Sequence, residues 1–119
     1  MKEENVILDK SFAFALRILK PYLFLRKRKV EAGLCSQILD SGTAIGANVE
    51  EAIGIASRKD FINKMQIAYK EARETKYWLR LLKEGELIDK KLADSFLKDC
   101  EELLKILTAI LNSSKGGSV

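Results

Sequence analysis

The residues of this sequence best suited to chemistry are its cations, and their spacing suits the binding of anions. Between Arg58 and Lys83, eight basic residues stand against three acidic ones. Four of them, Arg73, Lys76, Arg80 and Lys83, follow steps of three, four and three, which on a helix sets them along one face. A second group, Arg26, Lys27, Arg28 and Lys29, is continuous. Each cation can neutralise one phosphate of a nucleic acid, giving an affinity that falls steeply with salt. The plainer reading of both groups is a solvated face. Residues for covalent or acid–base catalysis are sparse by comparison. Histidine is absent, which removes the commonest general base and the Glu-x-x-His ligand pairs of di-iron bundles. Glu50 and Glu51, like Glu101 and Glu102, are adjacent, so on a helix they diverge and make no dyad. No glycine-rich phosphate loop or nucleophile elbow occurs. Cys35 and Cys100 fall on different helices without metal-ligand spacing and read as reduced core residues. Tyr69, Tyr77 and Trp78 share one helix, where ordinary packing explains them more readily than base stacking. The chain is expected to be no enzyme and to need no cofactor. A carboxylate-only metal bundle is the weakest alternative.

The elements that must position these cations are helices. The chain has 119 residues, 47% of them apolar and 32% charged, with a net charge of +4 and a single proline. That is one domain's length, too apolar for disorder and too interrupted by charge for a membrane span. Met1 to Lys10 carries Glu3, Glu4 and Asp9 and no apolar core, so it does not read as a signal peptide. A cytoplasmic protein is expected. The apolar period predicts four helices, at about 6–29, 31–56, 58–84 and 89–112. The Ser/Gly-rich stretch 113–119 is expected to be a disordered tail. Helices of similar length joined by short turns predict an all-α, antiparallel up-down-up-down four-helix bundle over residues 1–112.

In the first helix Leu8, Phe12, Ala15, Leu19 and Tyr22 form one stripe, with Ile7, Phe14, Ile18 and Leu25 beside it. Pro21 should bend this helix, since it has no N–H for the Arg17 carbonyl. The second and third helices carry a sharper pattern. Positions 34, 38, 41, 45, 48, 52 and 55, and positions 61, 65, 68, 72, 75, 79 and 82, both alternate steps of four and three, the spacing of a heptad seam. Ser57, three residues before Asp60, marks a helix start between them. An antiparallel hairpin then pairs 55 with 61, 48 with 68, 41 with 75 and 34 with 82, all in one register. The polar seam residues Ser41, Asn48 and Thr75 are read as specifying that register. Gly42 and Gly46 thin the second helix for close approach, against a cost of about 1 kcal/mol per glycine. Gly85 punctuates the next turn and Asp89 is expected to cap the fourth helix.

The third helix also carries Ile67, Trp78 and Leu81 on the side opposite its seam. A bundle helix normally keeps that side polar, so the group reads as an oligomer interface. Three segments taken in order, Ser41-Gly-Thr-Ala-Ile-Gly-Ala-Asn-Val-Glu-Glu-Ala52, Ser57-Arg-Lys-Asp-Phe61 and Lys70-Glu-Ala-Arg-Glu-Thr-Lys-Tyr-Trp-Leu79, are similar to the four-helix-bundle family of 23S rRNA intervening-sequence proteins. That family includes the accessory protein of diversity-generating retroelements. The resemblance covers residues 7–112. It implies a homopentameric ring of bundles, nucleic-acid association and, in the retroelement branch, a reverse-transcriptase partner. The family positions carried by Ser41, Gly46, Asn48, Glu51, Ser57, Glu74 and Trp78 are taken as structural. The expected function is a homo-oligomeric scaffold that binds nucleic acid, with no membrane partner. The alternative is a protein-interaction adaptor whose basic face meets an acidic partner such as a reverse transcriptase.

Overall fold

The computed structural model describes residues 2–55 and 57–116, without the side chains of 115 and 116. Four helices follow one another: α1 (Lys2–Lys27), α2 (Ala32–Ile53), α3 (Arg58–Glu84) and α4 (Lys90–Gly116). Each packs on its neighbour in sequence and α4 returns to α1, so α1 and α3 face each other across a diagonal. This is the all-α four-helix bundle expected, measuring 49 × 21 × 19 Å. Among the described residues no helix is long and apolar enough to cross a membrane.

Local chemistry sets the helix ends. The Ser57 hydroxyl accepts from the Asp60 amide at 3.3 Å, and Asp89 Oδ2 accepts from the Leu92 amide at 3.1 Å. Both caps satisfy amides that have no partner inside the helix. α1 and α3 end alike. The Val30 amide bonds the Leu25 carbonyl and the Lys29 amide that of Arg26, and Leu87 and Glu86 repeat this toward Leu82 and Lys83. These Schellman turns place Lys29 (φ 60°) and Glu86 (φ 58°) in the left-handed region usually left to glycine. Gly85 does sit in the turn as its C-cap, with a right-handed φ of −80°, and the left-handed position falls to the next residue.

Three expected boundaries move by more than two residues, the first being the start of α1, at Lys2 rather than 6. α2 stops at Ile53 rather than 56: the Gly54 amide makes the last four-residue bond, to Glu50, and the Ile55 amide tightens onto Ala52, three residues back; position 56 lies outside the described residues. α4 continues past Asn112 to Gly116. The expectation of a disordered tail from 113 is therefore corrected for 113–116, where Arg58 Nη2 donates to the Ser114 carbonyl at 2.6 Å and ties down the last turn. The remainder of that tail, 117–119, lies outside the described residues.

The seam of α2 and α3 is buried as its spacing requires, from Ile38, Ser41, Ile45 and Ala52 to Met65, Ala68, Ala72, Thr75, Leu79 and Leu82. Lys64 Nζ reaches Glu51 Oε1 at 2.8 Å across the same register. The polar seam residues do not bond across it. Ser41 donates to Gln37, Asn48 to Ala44 and Thr75 to Glu71, each to a carbonyl one turn back on its own helix. The glycines do serve close approach. A Cβ at Gly46 would meet the Ser11 carbonyl oxygen at 3.2 Å, and one at Gly42 would meet Ile18 Cγ1 at 3.0 Å.

α1 requires a correction. Its buried line is Ile7, Ser11, Phe14, Ile18, Pro21 and Leu25, made of the flanking set of the sequence pattern together with a serine and the proline. Of the leading stripe, Leu8, Ala15 and Tyr22 are half-buried, while Phe12 and Leu19 face outward. The helix is apolar on two sides, so its period alone does not say which side turns inward.

Candidate nucleic-acid interface

Topology brings the first cation group to the same end of the bundle as the last residues of the α3 stripe. Since α1 and α3 both finish there, Arg26 to Lys29 neighbour the last turns of α3 and the first turn of α4, adding Arg80, Lys90 and Lys91 to that end. Glu84 and Glu86 share it. Aromatic rings support two of the cations. Arg28 stands 5.3 Å over the Phe24 ring and Arg26 Nη1 donates to the Tyr22 hydroxyl at 3.2 Å. A guanidinium backed by a ring loses less freedom when it meets a phosphate.

The stripe on α3 divides into two kinds of cation. Lys83 Nζ lies 2.7 Å from Asp94 Oδ1, and that hydrogen bond raises the lysine's pKa. Lys76 Nζ lies 2.5 Å from Glu101 Oε1, close enough for an ion pair without alignment as a hydrogen bond. These two fasten α3 to α4. Arg73 and Arg80 are exposed and have no ion-pair partner among the described residues, and Arg73 Nη1 donates to the Tyr69 hydroxyl at 3.5 Å. Sequence spacing finds the stripe but not this division, because the neutralising carboxylates come from another helix.

Among the described residues no three Cys, Asp or Glu side chains converge as a ligand set. Cys35 and Cys100 are buried and unpaired. Burial pushes the Cys100 thiol up to about 12, and its Sγ donates to the Ala72 carbonyl at 3.2 Å. The opposing α1–α4 wall is closed by Arg17, whose guanidinium bonds Asp99 and Ser95 and lies 4.1 Å over the Phe96 ring. Beside it an apolar groove of about 830 Å³ runs between Leu16, Pro21 and Phe24 of α1 and Ile88, Leu92 and Phe96 on the α4 side.

Two apolar surfaces face outward on opposite sides. On α3, Ile67 and Leu81 of the expected interface are exposed, whereas Trp78 is half-buried against the core and edge-on to Tyr77, ring centroids 5.1 Å apart. Its indole Nε1 is buried without an acceptor. The larger surface lies on α1 and is not among the expected interface residues. Phe12, Leu16, Leu19 and Leu23, spaced four, three and four, are 42–64% exposed. That spacing is itself a heptad signal.

The comparisons with known proteins agree with this architecture. The family model for the 23S rRNA-intervening sequence protein matches residues 3–109. Among solved structures, the chain is similar to a protein of unknown function from the S23 ribosomal protein family of Bacteroides thetaiotaomicron VPI-5482, at 47% identity and a TM-score of 0.88. The alignment covers 92% of this chain and 98% of that one. No curated protein matches.

Proposed function

Because the chain belongs to the 23S rRNA-intervening sequence protein family, we propose that it is a non-enzymatic, homo-oligomeric scaffold that binds RNA or DNA through its basic end. The observation that carries this reading is the gathering of Arg26 to Lys29 with Arg80, Lys90 and Lys91 around two turns at one end. No helix there presents a base-reading motif, so binding is expected to follow the phosphate backbone with weak sequence preference. Assembly would multiply the field by bringing several such ends together. The α1 seam and the α3 group sit on opposite sides of the bundle, which suits a head-to-tail contact that closes into a ring, a homopentamer by the family resemblance.

The test is RNA affinity measured across a salt series. The wild type is expected to bind with a steep slope. Arg26→Gln, Lys27→Gln and Arg28→Gln combined should flatten it by about 0.7 for each single-strand phosphate that is no longer neutralised. Lys59→Gln, at the other end of the bundle, should change little. A second reading, an adaptor for an acidic protein such as a reverse transcriptase, is favoured by the bare apolar seam of α1. It moves ahead if the wild type fails to bind RNA or DNA at low salt and instead retains a protein partner after nuclease treatment.

A further inference from the structure

Between α3 and α4 a shallow groove of about 320 Å³ is lined by Tyr69, Arg73, Lys76, Glu101, Lys105 and Thr108 over the floor of Leu104. Its chemistry differs from that of the α3 stripe read along the sequence. Lys76 is held by Glu101 within the groove, so the pair is close to neutral and fixes one wall. Arg73 and Lys105 come from facing helices, are exposed, and have no ion-pair partner among the described residues. Arg73 is steadied by the Tyr69 hydroxyl. A second hydroxyl, that of Thr108, stands one turn along α4 from Lys105. Two unpaired cations and two hydroxyls around one groove form a set of donors for a tetrahedral oxyanion. The apolar floor and the ring of Tyr69 add a surface on which a base can lie.

We propose that this groove holds one backbone phosphate of a single-stranded nucleic acid, with Arg73 and Lys105 as its two charge contacts. This rests on the nucleic-acid reading given above and extends it. Arg80 lies exposed two turns beyond Arg73 toward the basic end, roughly 10 Å along the axis at 1.5 Å per residue, so a strand leaving that end meets a further cation before reaching the groove. Lys76 and Lys83, although on the same stripe, serve α4 carboxylates rather than the strand.

The experiment measures affinity for a single-stranded RNA oligonucleotide over a salt series, with folding checked by circular dichroism. Arg73→Gln and Lys105→Gln are each expected to weaken binding several-fold, and the two together to flatten the slope by about 0.7 for the one phosphate released. Because both hold the same phosphate, the double variant should lose less than the product of the two. Arg73→Gln combined with Arg28→Gln should instead be multiplicative. Glu101→Gln, which removes the one negative charge in the groove, should tighten binding, an outcome that damage to the fold does not produce. If Lys105→Gln leaves RNA affinity unchanged while the Arg26, Lys27 and Arg28 variant still weakens it, the groove does not touch the strand and the nucleic-acid reading stands without it. If inorganic phosphate binds and Lys105→Gln abolishes only that binding, the groove belongs to a free anion and the proposal is overturned. If the wild type binds no RNA, both readings fall together.

Discussion

Glu71 is the carboxyl whose surroundings work most clearly against its charge. Partial burial raises its pKa first, and Glu74, one turn on, raises it further by repulsion and a shared hydrogen bond. A carboxyl with a raised pKa binds its proton more tightly in the folded state than in the unfolded one, so ionised Glu71 subtracts from stability. That deficit is present above the raised pKa and disappears as pH falls through it toward the ordinary value. Glu71→Gln should therefore be more stable than wild type at neutral pH, and urea unfolding midpoints should converge as pH is lowered to about 4.5. Equal midpoints at every pH would show that the carboxylate is solvated after all. Glu86 carries a different local cost. Its left-handed backbone is one that a side chain adopts at roughly 1–2 kcal/mol, paid to complete the turn beside the basic end.

At the scale of elements, the α1–α2 and α2–α3 contacts make opposite demands on substitution. Gly46→Ala adds a carbon 3.2 Å from the Ser11 carbonyl oxygen, and backbone cannot swing aside as a side chain can. A loss of about 1–3 kcal/mol from overpacking should outweigh the roughly 1 kcal/mol gained in helix propensity, lowering the denaturant midpoint. Asn48→Leu should be neutral or stabilising, because among the described residues the side-chain amide bonds only Ala44 on its own helix and leaves no orphan across the seam. A loss of more than about 2 kcal/mol would reveal a buried network around Asn48. The α2–α3 register was legible in the sequence because each helix keeps one unbroken four-three seam, which Ile67, Trp78 and Leu81 on the other side of α3 are too few to rival. The inner line of α1 was not, since Ser11 and Pro21 interrupt it and the stripe Leu8, Phe12, Ala15, Leu19 and Tyr22 runs beside it at the same spacing. The stripe of cations was legible too, but which of them are free depends on Asp94 and Glu101 of α4, and the spacing within one helix carries no information about those. Lys105 lay hidden for the same reason, in a segment whose charges balance.

For the whole molecule, the two outward apolar surfaces are the testable feature. Light scattering of the wild type at micromolar concentration should give an assembly larger than a dimer, and a monomer there would sink the reading. Leu19→Asp on α1 and Leu81→Asp on α3, both at exposed positions, should each dissociate the assembly and leave the bundle folded, by placing a charge in a desolvated contact. Mixing the two variants separates the geometries. In a head-to-tail contact each variant keeps one sound face, so the mixture should recover dimers and nothing larger. Two copies joined through the same face on both sides would instead leave the variant whose joining face is intact dimeric on its own, with no gain on mixing. The bare seam of α1 also has a consequence in time. α1 is synthesised before the helices that pack on it, and at roughly 5–20 residues per second α2 follows within seconds to cover the inner line. Nothing made later in the described chain covers Phe12, Leu16, Leu19 and Leu23. Each nascent chain therefore carries an uncovered apolar strip from the moment its first helix leaves the ribosome. Neighbouring ribosomes on one message hold the nearest copies that could shield it.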